Sequence, residues 1–142
     1  MKATDLMIGD LVYYSYPNPF VTKVIDVCSH GEEPFIRCKR DEKDNLYKQD
    51  QLEDFHVGIL RPIPLTPEIL EKNSFLKVEA IEYPSHSVGI SFLYRNTPEG
   101  LRIFVQNACV GGPTCTMIKT CKYVHEVQHM IKMCDIEKKF VL

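Results

Sequence analysis

The sequence lacks the features that would assign it at once to several classes of protein. It has no basic excess, because 17 lysines and arginines stand against 19 aspartates and glutamates, a formal net charge of -2. Proteins that coat nucleic acid or anionic lipid usually carry a clear positive surplus. No apolar run approaches the ~18 residues that a membrane-spanning helix needs. The first ten residues contain no apolar segment of signal-peptide length, so we expect a cytoplasmic protein without a membrane partner.

Paired cysteine motifs are also missing. No two cysteines form a Cys-x-x-Cys pair, and in a cytoplasmic protein we expect free thiols that act as small buried apolar side chains. A structural zinc site built from Cys109, Cys115, Cys121 and His125 would need gaps of five residues between its cysteines, longer than in zinc fingers and ribbons. We therefore predict no cofactor. The six cysteines are Cys28, Cys38, Cys109, Cys115, Cys121 and Cys134.

The composition is that of a globular protein, with 44% hydrophobic and 25% charged residues. Residues 1–63 contain short β-rich runs between turns, including residues 20–28, which alternate strictly between two faces, and a run at residues 46–48. A single helical turn is predicted at residues 51–55, before a last strand at 57–61. This order is typical of a small SH3-like β-barrel.

Residues 64–142 are predicted to form a second, α+β region. Thr66 and Pro67 are typical of the first positions of a helix, and Asn73 with Ser74 is expected to end it. Strands are predicted at 76–83, 87–94 and 101–107, the last two as a hairpin, followed by a loop at 110–116. Residues 120–134 have helical periodicity, and residues 140–142 are expected to add an edge strand. The fold class is therefore α+β, with an antiparallel sheet packed by a C-terminal helix.

Three segments carry a family resemblance: the opening ATDLMIGDLVYY, the junction LRPIPLTPEILEKNSF and the end YVHEVQHMIKMCDIEK. They resemble a group of small uncharacterised proteins from Bacteroides-type bacteria, their phages and mobile elements. The resemblance implies a mobile-element origin and no particular activity. The sequence departs from the group at Ser74, where the pattern has Gly, and residues 84–120 show no resemblance.

The most specific chemical motif is His-Glu-x-x-His at His125, Glu126 and His129. On a helix, the two histidines could bind zinc while Glu126 activates a bound water, and Asp135 stands where some zinc peptidases have a third ligand. However, Lys132 occupies the position at which such peptidases have Gly. Some proteins of the resembling group have Gln and Asn in place of Glu126 and His129, which a zinc hydrolase could not tolerate. The apolar stripe along residues 120–134 is also enough to explain this helix as a packing element. The more polar flank of this helix is then expected to carry His125, Gln128, His129 and Lys132.

A basic loop is the other candidate for binding. Tyrosines at positions 13, 14, 16 and 47 could stack bases beside it. Acidic residues interrupt the run and leave a local surplus of only two, so a solvated hairpin tip is the simpler interpretation. The basic residues are Arg37, Lys39, Arg40, Lys43 and Lys48.

We assign no catalytic residue from the sequence. The prediction is a non-enzymatic accessory or interaction protein of a phage or mobile element that binds a protein partner. The alternatives are a zinc-dependent hydrolase using His125, Glu126 and His129, and a nucleic-acid-binding module.

Overall fold

The computed structural model describes residues 5–15, 20–28, 35–40, 52–81 and 88–142. Within it the chain divides into two compact units, Met1–Ile63 and Pro64–Leu142. The strand predicted at residues 46–48 lies outside the described residues, as do Tyr16 and Tyr47. The part of the chain that the structure describes is mixed α and β, with two sheets rich in antiparallel pairs and two α-helices.

Among its described residues, the first unit is a sheet of five strands: β1 Leu11–Tyr14, β2 Phe20–Cys28, β3 Phe35–Arg40, β4 Leu52–His56 and β5 Leu60–Pro62. The strands lie in the order β4-β3-β2-β1-β5, and all four of their pairings are antiparallel. No pairing joins β4 to β5 in these residues, so closure into a barrel is not seen there.

The strict alternation predicted for β2 is broken by a β-bulge. The register with β3 shifts between Val24 and Asp26, so the side chains beyond this point exchange faces. As a result Val24 and Val27 both contact the core of the unit, whereas Asp26 is exposed. Leu6, Val12, Ile36, Cys38, Phe55 and Leu60 complete this core cluster with Val24.

The helical turn predicted at residues 51–55 was wrong in its position. Residues 52–56 form β4, and a 3₁₀ turn follows at Val57–Ile59. The ring nitrogen Nδ1 of His56 accepts a hydrogen bond from the Gly58 amide at 3.1 Å, which caps this turn. Pairing with β3 buries Phe55 and draws the preceding residues into a strand, a long-range effect that local propensity does not contain.

In its described residues, the second unit has the elements α1 Pro67–Lys72, β6 Leu76–Lys77, β7 Gly89–Thr97, β8 Gly100–Ala108, β9 Thr114–Cys121 and α2 Val124–Met133. Its four strands form one sheet in the order β6-β7-β8-β9. Strand β6 is parallel to β7, and the other two pairings are antiparallel.

The predicted hairpin is confirmed, with Thr97 paired to Gly100 across a two-residue turn. Two other expectations for this unit were wrong. The stretch assigned to a loop at 110–116 contains the start of β9, which pairs with β8 along its whole length. The edge strand expected at 140–142 is absent, because these described residues have no strand structure. Instead, the side chain of Asn73 holds the backbone of Val141 through bonds of 2.6 and 2.9 Å.

Both helices end in the same hydrogen-bonded motif. In α1 the amides of Ser74 and Phe75 donate to the carbonyls of Glu71 and Leu70. These two bonds define a Schellman motif, whose residue after the cap takes a left-handed conformation. That residue is Ser74, with a φ of 63°.

Residue Asp135 occupies the equivalent place after α2, with a φ of 55°. Its amide donates to the Lys132 carbonyl and the Ile136 amide donates to the Ile131 carbonyl.

No helix in the described part of the chain has the length and apolarity to cross a membrane.

Candidate functional site

The carboxylate of Glu126 fixes the start of α2. It accepts hydrogen bonds from the backbone amides of Lys122 at 2.7 Å and Tyr123 at 3.0 Å, and it pairs with the ammonium of Lys119 at 3.2 Å. Tyr123 is the N-cap, so Glu126 holds the third helical position, from which a carboxylate reaches back to the capping residue. The group that a zinc hydrolase would use to activate water is therefore engaged in capping the helix.

The charged form of Glu126 is favoured by these contacts. Burial alone would raise the pKa of the Glu126 carboxyl. The two amide bonds and the positive charge of Lys119 outweigh burial, so the pKa lies below its usual value of 4.5. A carboxylate held in this way is a weak proton acceptor, which is unfavourable for a general base.

The two histidines of the motif lie one turn apart on α2. The ring centroids of His125 and His129 are 5.6 Å apart, and the ring of Tyr123 stacks on His125 at 5.8 Å. The expected polar flank was wrong for His125 and Gln128, since both are buried. Side chains outside the apolar stripe are therefore also buried in α2, and His125 is one of them.

The third ligand suggested for a zinc site is Asp135. It is exposed, at the position after the α2 cap, where its backbone closes the Schellman motif. Within the described residues, no three histidine, cysteine, aspartate or glutamate side chains form a group that could hold a metal ion. The structural zinc site considered from the sequence is likewise not formed in these residues. Its ligands would have been Cys109, Cys115, Cys121 and His125.

The cysteines of the second unit instead divide into different environments. The Cys121 thiol lies 3.6 Å from the thioether sulfur of Met130, and burial with the nearby charge of Glu126 raises its pKa to about 12. Cys109 is exposed in the loop before β9. Cys115 and Cys134, in contrast, are brought together with 2.9 Å between their sulfur atoms. Sequence spacing does not reveal this pair, because the glycines and proline just before Cys115 predict a loop there.

The basic loop is only partly described. Arg37 forms two hydrogen bonds with Asp54 of β4, at 2.7 and 3.1 Å, so its charge is balanced within the first unit. The hydrogen bond from Arg37 also lowers the pKa of the Asp54 carboxyl. Lys39 lies in register with Lys23 of β2. The side chain of Arg40, and all of Lys43 and Lys48, lie outside the described residues.

The aromatic side chains expected beside that loop have two different roles. The ring of Tyr14 lies 4.8 Å from the rings of both Phe20 and Phe55 and contributes to the packing of the first unit. Tyr13 points to the other face of β1 and is exposed. Among the described tyrosines of this unit, only Tyr13 is therefore placed for stacking on a ligand.

One end of the second sheet exposes several large apolar side chains, a set called here the apolar end. Ile90 pairs with Asn107 of β8, whose side-chain amide donates to the Cys134 carbonyl at 2.8 Å. This bond places the C-terminal end of α2 over the same end of the sheet. The set comprises Val88, Ile90, Val110 and Met133, and each member is between 55% and 84% exposed.

The chain was compared with protein-family models, with curated proteins and with solved structures, and none of them gives a significant match.

Proposed function

We propose that this chain is a non-enzymatic accessory protein of a phage or mobile element that binds a protein partner in the cytoplasm. The observation that carries the proposal is the apolar end of the second sheet. Single exposed apolar side chains are common on protein surfaces, but several at one end of a sheet are typical of a surface that a partner covers. Removing this apolar surface from water favours binding, and the cost of ordering the two proteins offsets part of that gain.

The rigidity of this surface supports the proposal. Ile90 lies on a strand paired along nine positions with β8, and Met133 belongs to the last turn of α2. The bond from Asn107 to the Cys134 carbonyl joins the sheet to that turn. A surface held by a sheet and a helix needs little ordering on association, which reduces the entropic cost of binding.

We also propose that the first unit is an SH3-like barrel. The strand order β4-β3-β2-β1-β5 and the 3₁₀ turn immediately before β5 support it. Barrels of this type are often used for recognition, and the step from fold to role is an analogy. The mobile-element origin is proposed from the sequence resemblance of the opening, the junction and the C-terminal helix.

The alternative functions are less well supported by the described contacts. A zinc hydrolase needs Glu126 as a base and a third ligand, whereas Glu126 caps α2 and Asp135 closes its other end. A nucleic-acid interface needs an excess of positive charge, whereas Arg37 is paired with Asp54.

The experiment that tests the proposal compares partner capture by three forms of the full chain. The first is the unchanged protein, the second carries Ile90→Lys with Val110→Lys, and the third carries Leu76→Lys as a matched control. Leu76 is 67% exposed on the edge strand β6 of the same unit. All three are used as affinity baits in extracts of the host cell, and the captured proteins are compared by quantitative mass spectrometry.

We expect a partner that the unchanged chain and the Leu76→Lys variant retain equally and that the double variant loses at least tenfold. A tenfold loss corresponds to about 1.4 kcal/mol, which a desolvated lysine at an apolar contact would exceed. Equal capture by all three forms, or no partner above background, would contradict the proposal.

A further inference from the structure

Two thiols from distant parts of the second unit meet beneath the last turn of α2. Cys115 lies on β9 opposite Asn107, and its thiol donates toward the sulfur of Cys134 at 2.9 Å and toward the Met133 carbonyl at 3.4 Å. The Cys134 thiol in turn donates to the Val105 carbonyl at 3.8 Å. Two features hold this arrangement: the β8-β9 register and the bond from Asn107 to the Cys134 carbonyl.

The sulfur atoms are within about 1 Å of the length of a disulfide bond, so its formation requires only a small displacement. We infer that Cys115 and Cys134 form a reversible intrachain disulfide when the protein meets a peroxide. The inference is independent of the proposed function, since it depends only on contacts inside the second unit.

The two thiols have different roles in this reaction. Cys134 is buried, whereas Cys115 is half-buried and open to a small oxidant. Burial, together with the contact with Cys115, raises the pKa of the Cys134 thiol, which favours its protonated form. Cys115 is therefore the residue that meets the peroxide, and Cys134 is the residue that resolves the product.

The reaction proceeds in two balanced steps. The Cys115 thiolate attacks one oxygen of hydrogen peroxide, the O–O bond breaks, and the products are a sulfenic acid on Cys115 and, after proton transfer, one water. The sulfur of Cys134 then attacks the Cys115 sulfur and the S–O bond breaks. The Cys134 proton leaves with the hydroxyl as a second water. The two thiols lose two electrons and the peroxide gains them, and a dithiol reductant reverses the change.

Peptide mapping identifies the bond directly. The fully reduced chain is treated with one equivalent of hydrogen peroxide at pH 7.5, alkylated in denaturant and digested with trypsin. Cleavage after Arg102 and Lys119 leaves residues 103–119 as one peptide, which contains both Cys109 and Cys115. A Cys109→Ser variant therefore makes the assignment unambiguous, and it also removes the exposed thiol.

We expect the main cross-linked product to join residues 103–119 to residues 133–138 in both the unchanged chain and Cys109→Ser. Dithiothreitol should remove the product. In Cys115→Ser, Cys134 should remain fully open to alkylation after peroxide. Cross-links dominated by another pair of cysteines, or a Cys134 that is still fully alkylated in the peroxide-treated wild-type chain, would overturn the inference.

Thermal unfolding gives a second readout that does not need a Cys134 variant. Because the bond would tie β9 to the end of α2, oxidation should raise the midpoint of unfolding in the unchanged chain and in Cys109→Ser, and leave Cys115→Ser unchanged. An unchanged midpoint in both peroxide-treated chains would show that no bond ties β9 to the end of α2, and would also overturn the inference.

Discussion

Replacing Glu126 with alanine removes the acceptor of two backbone amides at the start of α2. Those amides, of Lys122 and Tyr123, lie 2.7 and 3.0 Å from one carboxylate oxygen. We expect their hydrogen exchange to accelerate, because the N-terminal turn of the helix would open more often. The assay is amide exchange followed by NMR. It measures the exchange rate of each amide separately, so unfolding of the other compact unit does not obscure the result.

The expected loss of free energy follows from the contacts that the Glu126→Ala substitution removes. Loss of a capping side chain costs about 1 kcal/mol, and hydrogen bonds to a charged group contribute somewhat more. The carboxylate is partly accessible, so water replaces some of the lost interaction, and the ion pair with the half-exposed Lys119 adds little. We therefore expect a loss of about 2 kcal/mol, which corresponds to roughly 30-fold lower protection of both amides. Glu126→Gln keeps an acceptor and should give a smaller loss.

The pH dependence of the effect has a defined sign. The pKa of Glu126 is lower in the folded chain than its usual 4.5, so the carboxylate stabilises the fold above that value. This stabilisation is lost as the pH falls through the folded pKa. The difference in protection between the wild type and Glu126→Ala should be complete at pH 7 and should shrink once the pH falls below 4.5.

The control for this experiment is Glu137→Ala, which removes an exposed carboxylate from the segment after α2. It should leave the protection of Lys122 and Tyr123 unchanged. The capping role would be refuted by unaltered protection in Glu126→Ala, or by an equal loss in Glu137→Ala.

Three further substitutions test the packing of the second unit. Ser74→Gly should raise the free energy of unfolding by about 0.5–1 kcal/mol, since the φ of 63° strains an L-residue, and urea denaturation showing no gain would contradict this. Asn73→Ala should cost about 2–3 kcal/mol and expose the Val141 amide to exchange, because it removes buried bonds to that residue; continued protection of the Val141 amide would count against the tether. Tyr94→Phe should cost about 1–2 kcal/mol at pH 7 by removing the 2.6 Å bond to Glu71. Burial and Glu71 raise the pKa of Tyr94 to about 12 from 10.0, so its stabilisation is present below pH 10 and is lost as the pH rises toward 12; equal alkaline loss in Tyr94→Phe would contradict this reasoning.

Elements whose ends are determined by local chemistry were predictable from the sequence. The hydroxyl of Thr66 accepts a hydrogen bond from the Ile69 amide at 3.4 Å, with Pro67 in the first turn, as the pattern of α1 predicts. The turn between β7 and β8 has the same local origin, since Pro98 and Glu99 join two alternating apolar runs. In both cases the residues that specify the structure lie within a few positions of one another.

Elements that depend on distant partners were not predictable. Strand β9 follows Gly111, Gly112 and Pro113, which favoured a loop, and its conformation comes from eight paired positions with β8. Strand β4 depends in the same way on β3. The bulge after Val24 reverses which side chains face the core, and single-sequence alternation carries no sign of it.

The candidate site also has one feature that was predictable from local sequence and one that was not. The placement of His125, Glu126 and His129 on one helix was predictable from periodicity, and a glutamate at the third helical position was a readable sign of capping. The contact between Cys115 and Cys134 was not predictable, because it joins a strand to a helix end 19 residues away.

We infer that the His-Glu-x-x-His motif anchors and packs α2 rather than holding a catalytic metal. Elemental analysis tests this inference on the full chain, purified without an affinity tag and exchanged into zinc-containing and then zinc-free buffer. We expect far less than one zinc per chain and the same value for His129→Ala. One zinc per chain, lost in His129→Ala, would contradict it.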